Sequence, residues 1–122
     1  MVKRETTIPI LLSIIEERLI AILAYSKDLS FEKYLSNRLI RQASRKDLED
    51  IGDACKEIIE KSDSEKFSLE KEEIKFFKEL YAFRAKSTHG YDSLDFKIIF
   101  EAIKVDIPRF KKMFDEIRER KR

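Results

Sequence analysis

From Phe96 to Ile117 the chain sets an apolar residue at alternating steps of four and three: Phe96, Phe100, Ile103, Ile107, Phe110, Phe114 and Ile117. A strand shows every second residue to one face, whereas a helix returns to a face every three or four residues. A spacing held over so many turns therefore predicts a helix, and its apolar stripe has to be buried against other helices. Pro108 falls inside this run. It has no amide hydrogen, and its ring crowds the carbonyl of Lys104. Because the stripe keeps its register across Pro108, the expectation is one kinked helix over 95–118, with the kink in the turn before the proline. Asp92 or Asp95 can cap its start.

The rest of the chain reads the same way. Two glycines and two prolines in 122 residues are too few to turn a series of strands, so all-β and Gly-loop nucleotide folds are excluded. Ile8, Leu12, Ile15, Leu19 and Ile22 repeat the 4-3 spacing and predict a core helix over 7–26, with Thr6 or Thr7 as cap and Pro9 in the first turn. A short helical piece is expected over Phe31 to Leu35. A second long helix is expected over 44–61, with Leu48, Ile51, Cys55 and Ile58 inward. After a polar connection from Ser62 to Phe67, Ser68 can cap a helix over 69–89 that carries Ile74, Phe77, Leu80, Tyr81 and Phe83 and ends at Gly90. The expected fold is all-α: one domain over 1–122, an antiparallel bundle of four to five helices.

Charge and cysteine content narrow the chemistry. The 26 basic and 24 acidic side chains leave a net charge of +2, so any contact with nucleic acid has to be local. Cys55 is the only cysteine and His89 the only histidine, which excludes an intrachain disulfide and a Cys/His zinc site within one chain. No cofactor is expected. The apolar stretch from Ile8 to Ile15 is cut by Glu16, Glu17 and Arg18, too short and too charged to span a bilayer, and no small-residue cleavage site follows it. A cytoplasmic protein with no membrane association is the expectation. Asn37 and Gln42 are the only side-chain amides, and Lys, Glu and Ile are abundant, a composition that suits a heat-adapted intracellular protein. The tail Arg118-Glu119-Arg120-Lys121-Arg122 reads as a solvated helix end whose cations favour the dipole.

The informative stretch is Phe83 to Asp92. At about 100° per residue Arg84 lies within about 20° of Phe77 on the helix wheel and shares a stripe with Tyr81, so it starts from an inward-leaning face and calls for a partner or an anion. His89 would point about 140° away if the helix continued, so the two meet only where the helix ends or where two chains pair. RNA carries its own nucleophile, the 2′-hydroxyl, so a nuclease needs only to move protons and stabilise charge on the phosphate. Arg84, forked and always charged, suits the second task, and His89 suits the first near neutrality. One His per chain leaves the acid and base roles short by one unless a dimer supplies two or water helps, and this arithmetic favours a dimer. The same residues also have a plainer reading: a His stabilised by a helix C-terminus, an Arg paired with a carboxylate, and Tyr91 closing the core.

The string Arg84-x-x-x-x-His89-x-Tyr91, followed by Asp92-Ser93-Leu94-Asp95, resembles the signature of the HepT-like toxins of the HEPN (higher eukaryotes and prokaryotes nucleotide-binding) superfamily. Further similarity lies in Leu29-Ser30-Phe31-Glu32-x-Tyr34-Leu35, in Leu48-Glu49-x-Ile51-Gly52-Asp53-Ala54 and in Asp106-Ile107-Pro108. The resemblance implies a helical bundle that forms a homodimer, with the Arg-His motifs of both chains in one cleft. It further implies a metal-independent endoribonuclease acting on RNA, with Arg84 and His89 catalytic, neutralised by a cognate minimal nucleotidyltransferase antitoxin (MntA-like) that AMPylates Tyr91. Where the family usually carries a polar residue after the Arg, this chain has Ala85. A second reading is therefore a nucleotide- or protein-binding module of the same fold with weak or no catalysis.

Overall fold

The computed structural model describes residues 7–62, 69–88 and 93–121, with side chains at 7–62, 69–82 and 96–121. The elements are α1 (Ile8–Ser26), α2 (Phe31–Ser36), α3 (Arg38–Lys61), α4 (Lys71–Thr88), α5 (Ser93–Glu101), a π-helical turn (Ala102–Asp106) and α6 (Ile107–Arg120). The fold is an all-α bundle, with no strand among the described residues. Also among them, no helix is long and apolar enough to cross a membrane.

Local chemistry sets the boundaries. Thr7 precedes α1 in extended backbone but makes no side-chain cap, so Pro9 in the first turn is what favours the start there. Ser30 caps α2, its side chain accepting from the Lys33 amide. The second long helix begins at Arg38, six residues before the expected Ser44, because the Asn37 side chain accepts from the Ile40 amide and caps it. The expected cap of α4 at Ser68 lies outside the described residues. Its first turn is instead closed by Glu73, whose carboxylate accepts from the Glu70 amide at 2.9 Å, one half of a capping box.

The stripe that crosses Pro108 is helical throughout, with Pro108 in the first turn of α6. In place of the crowded α-helical register, the preceding turn widens: the Ile107 amide donates to the Ala102 carbonyl, five residues back. The π turn relieves the conflict between the proline ring and the Lys104 carbonyl without ending the helix. It also adjusts which side faces inward. Ile103, Ile107, Phe110, Phe114 and Ile117 are buried, joined by Ile99 and Ala102, whereas Phe96 and Phe100 are only half-buried. Those two rings turn toward α2 and α3: Phe100 lies 5.5 Å from both Phe31 and Tyr34, and the Arg41 guanidinium sits 5.0 Å over Phe96.

One core joins these helices, with Ile15, Leu19 and Ile22 of α1, Ile51, Cys55 and Ile58 of α3, Phe76, Phe77 and Leu80 of α4 and Phe110 and Phe114 of α6 all buried. Phe76 meets Phe77 and Phe110 edge-on at 5.3 and 5.9 Å. Each such side chain contributes about 1.5–3 kcal/mol of burial. Cys55 is the small core residue that its position on the α3 stripe suggests, and burial pushes its thiol well above the ordinary range. The buried polar groups are satisfied: the Tyr34 hydroxyl and Ser44 Oγ are 2.8 Å apart, and Ser44 donates to the Arg41 carbonyl at 2.9 Å. Lys104, on the π turn, donates to the Ser26 and Lys27 carbonyls at 2.9 and 3.3 Å, placing a cation at the negative end of α1.

Candidate functional site at the end of helix α4

On α4 the buried residues Glu73, Phe76, Phe77 and Leu80 occupy one side. Arg84, part of the same helix, falls at about −20° from Phe77 and about +20° from Glu73, in the middle of that stripe. The side chain of Arg84, that of Phe83, and His89 and Tyr91 altogether, lie outside the described residues. Described α4 runs to Thr88, five residues short of Ser93 at the start of α5. The motif thus begins near the end of α4, and its remainder lies outside the described residues.

Tyr81 stands at the edge of the stripe, not within it. It is 36% exposed, its ring facing Lys56 of α3 at 6.0 Å. The same contact joins α3 to α4 one turn before Arg84. At a rise of 1.5 Å per residue, Arg84 lies about 4.5 Å beyond Tyr81. Gly52 is buried, and a residue without a side chain there lets neighbouring groups come close. The Glu49-x-Ile51-Gly52-Asp53-Ala54 stretch lies on the same helix, α3, just before Lys56.

The sequence reading missed Glu73. It is 1% exposed, and its carboxylate accepts from Lys121 at 2.9 Å and Arg120 at 3.2 Å besides the Glu70 amide. Burial works to raise its pKa, but the Glu70 amide and the Lys121 and Arg120 cations outweigh it and hold the carboxyl below the usual range. The tail is accordingly not a free solvated end: Arg120 and Lys121 are bound to Glu73, and Arg118 to Glu16 of α1. The acid at the start of the Arg84 stripe is thus tied to the last turn of α6.

A second polar group joins α1 to α3. Arg18 donates to Asp50 at 3.1 Å, Lys46 pairs with Asp50 at 3.2 Å, and the Tyr25 hydroxyl donates to Asp47 at 3.0 Å. Burial raises the Asp47 carboxyl and, with the Asp47 charge, the Tyr25 phenol. A groove of about 430 Å³ opens beside this network, lined by Leu11, Ile14, Arg18, Asp50, Asp53 and Glu57 among others. Its Arg18, Lys46 and Asp50 side chains pair with one another, so it reads as structural. Among the described residues, no group of three or more His, Cys, Asp or Glu side chains is arranged to hold a metal ion.

Comparison with known proteins bears on the same region. The model of the family described as Ribonuclease HepT-like matches residues 15–117, a span that includes the whole Arg84 to Tyr91 motif. The chain is 35% identical over 96 residues to a protein of Methanocaldococcus jannaschii named as a candidate RNase, covering 79% of this chain and 78% of that one. A second protein of that organism with the same kind of name is 34% identical over 96 residues, covering 79% and 74%. A protein of Thermococcus cleftensis named as a candidate ribonuclease HepT is 29% identical over 95 residues, covering 78% and 81%. No solved structure matches the chain at a comparable level.

Proposed function

The chain belongs to the HepT-like ribonuclease family of the HEPN superfamily, and on that footing we propose that it is an endoribonuclease that cuts RNA without a metal, acting as the toxin of a toxin–antitoxin pair. The observation that carries the reading is the family match over 15–117, which takes in Arg84, His89 and Tyr91 together. The position of Arg84 near the end of α4, in line with Glu73 and Phe77 on the helix wheel, supports it.

In this reading a homodimer sets two motifs in one cleft. One His89 takes the proton of the 2′-hydroxyl as its oxygen attacks the adjacent phosphorus. The His89 of the second copy, protonated, gives a proton to the departing 5′-oxygen. The P–O5′ bond breaks, leaving a 2′,3′-cyclic phosphate and a 5′-hydroxyl. Arg84 holds the phosphate oxygens as negative charge builds on them. Ala85 offers no polar atom for positioning the substrate, so backbone and partner groups take that role.

The test is cleavage of a short RNA by the purified protein in EDTA. Product strands ending in a 2′,3′-cyclic phosphate are the expected result, and activity that vanishes in chelator and returns with magnesium would contradict it. If RNA is bound and never cut, the binding-module reading suggested by Ala85 takes its place. The dimer is tested separately by mass in solution: twice 14.6 kDa is expected, and a monomer at high micromolar concentration speaks against it.

Control falls to Tyr91. With an MntA-like nucleotidyltransferase and ATP, the phenol oxygen attacks the α-phosphorus of ATP, pyrophosphate leaves and the phenolic proton is released. The resulting AMP brings a phosphate within reach of Arg84 and a nucleoside that blocks RNA, so inhibition needs no change of fold. Co-expression is expected to add one AMP to the wild-type mass and none to Tyr91→Phe, with loss of cleavage in the modified protein. Equal AMP addition to Tyr91→Phe would remove Tyr91 from this role.

A further inference from the structure

Between Arg38 and Lys46 the chain carries Arg38, Arg41, Arg45 and Lys46 and no acid, in a sequence where acids and bases are otherwise interspersed. On α3 the three arginines fall within about 60° of one another and make a single stripe. Two of them, Arg38 and Arg41, differ in pairing from other arginines. Arg18, Arg109, Arg118 and Arg120 each meet a carboxylate. Among the described residues Arg38 and Arg41 meet none. Arg41 gives its hydrogen bonds to the Tyr34 and Leu35 carbonyls and sits over the Phe96 ring, which holds its guanidinium in place with no carboxylate on it among the described residues.

The stripe also leads to the site. Continued along α3 it passes Glu49 and Gly52 and reaches Lys56, which faces Tyr81, one turn before Arg84. At its other end Arg41 rests on Phe96, in the first turns of α5, the helix that follows His89 and Tyr91 directly. One face of α3 therefore reaches from Phe96 of α5 to Tyr81 of α4, and its stretch from Arg38 to Arg45 carries three arginines and no acid. We infer that Arg38, Arg41 and Arg45 form a track that binds phosphates of the RNA strand on either side of the bond to be cut. The inference rests on the ribonuclease reading for its substrate. It assigns these arginines to holding RNA, not to the chemical step.

Binding is measured with His89→Ala protein and a fluorescent single-stranded RNA, over a range of salt. Arg41 is kept, since it also holds the end of α2. Adding Arg38→Ala and Arg45→Ala together is expected to weaken binding about tenfold and to flatten the salt dependence by about 0.7 per lost phosphate contact. The Arg38→Lys/Arg45→Lys pair keeps the charges and is expected to keep the slope. Unchanged affinity and slope in the alanine pair would overturn the track, as would an equal loss of slope in the lysine pair. Cleavage by the wild type is scored apart. Arginine-dependent binding without cleavage leaves the track and sinks the ribonuclease reading, whereas cleavage with unaltered binding does the reverse.

Discussion

Arg84→Ala and His89→Ala are each expected to lower the turnover of RNA by at least about a hundredfold, with helical content by circular dichroism unchanged. A positioned acid or base contributes about 10²- to 10⁴-fold, and one group that stabilises charge on the reacting oxygens contributes about 10²- to 10³-fold. Both side chains act on the reacting phosphate in the proposed site, so the loss falls on kcat. For His89→Ala the whole acid–base pair disappears, because the chain has no other histidine in either copy. An Arg84→Lys variant keeps the charge but not the fork, and is expected to recover only part of the rate. Wild-type turnover in either alanine variant would remove that residue from the chemistry.

The largest effect on stability is expected at the other end of the same stripe. Glu73 is buried, whereas Arg120 is about half exposed, so the two sides of this pair are not equivalent. With Arg120 and Lys121 both replaced by Ala, the carboxylate stays buried with only the Glu70 amide beside it, and the protein should lose about 3 kcal/mol at neutral pH. That corresponds to a fall of roughly 10 °C in Tm. Glu73→Gln should cost less, because the released cations can turn to water while the amide oxygen still accepts from Glu70. The Glu73 carboxyl is held below its ordinary pKa in the folded state, so the stabilisation is complete above the ordinary carboxylate range. It is lost as pH falls through the lowered folded value. The gap between wild type and the double variant should therefore narrow in acid. A double variant as stable as wild type at neutral pH would show that Glu73 does not depend on the tail.

These effects also mark what a sequence can reveal. The stripes on α1 and α6 were legible because each repeats one residue class at one period, and Ile103, Ile107, Phe110, Phe114 and Ile117 are buried as that period requires. The start of α3 was hidden: Leu39 is 78% exposed, so apolar periodicity points away from a helix there, and only the Asn37 cap reveals it. The π turn was half legible, since Pro108 announces a conflict but not the local solution. Glu73 looks on paper like its exposed neighbours Glu70 and Glu72. Its place three residues into α4 and on the Phe77 side was the available signal, and its partners lie 47 and 48 residues away in the sequence. The motif was legible because the only histidine and one of four tyrosines fall in a tight spacing after Arg84, and chemistry depends on residue type more directly than packing does.

The central claim, that this chain cuts RNA through its own 2′-hydroxyl, is tested most directly by one comparison in EDTA. The wild-type protein is given an RNA and the same strand made with 2′-deoxy sugars, and product is followed with time. The RNA is expected to be cut and the deoxy strand to remain whole. Equal cleavage of both strands, or of neither, would contradict the account.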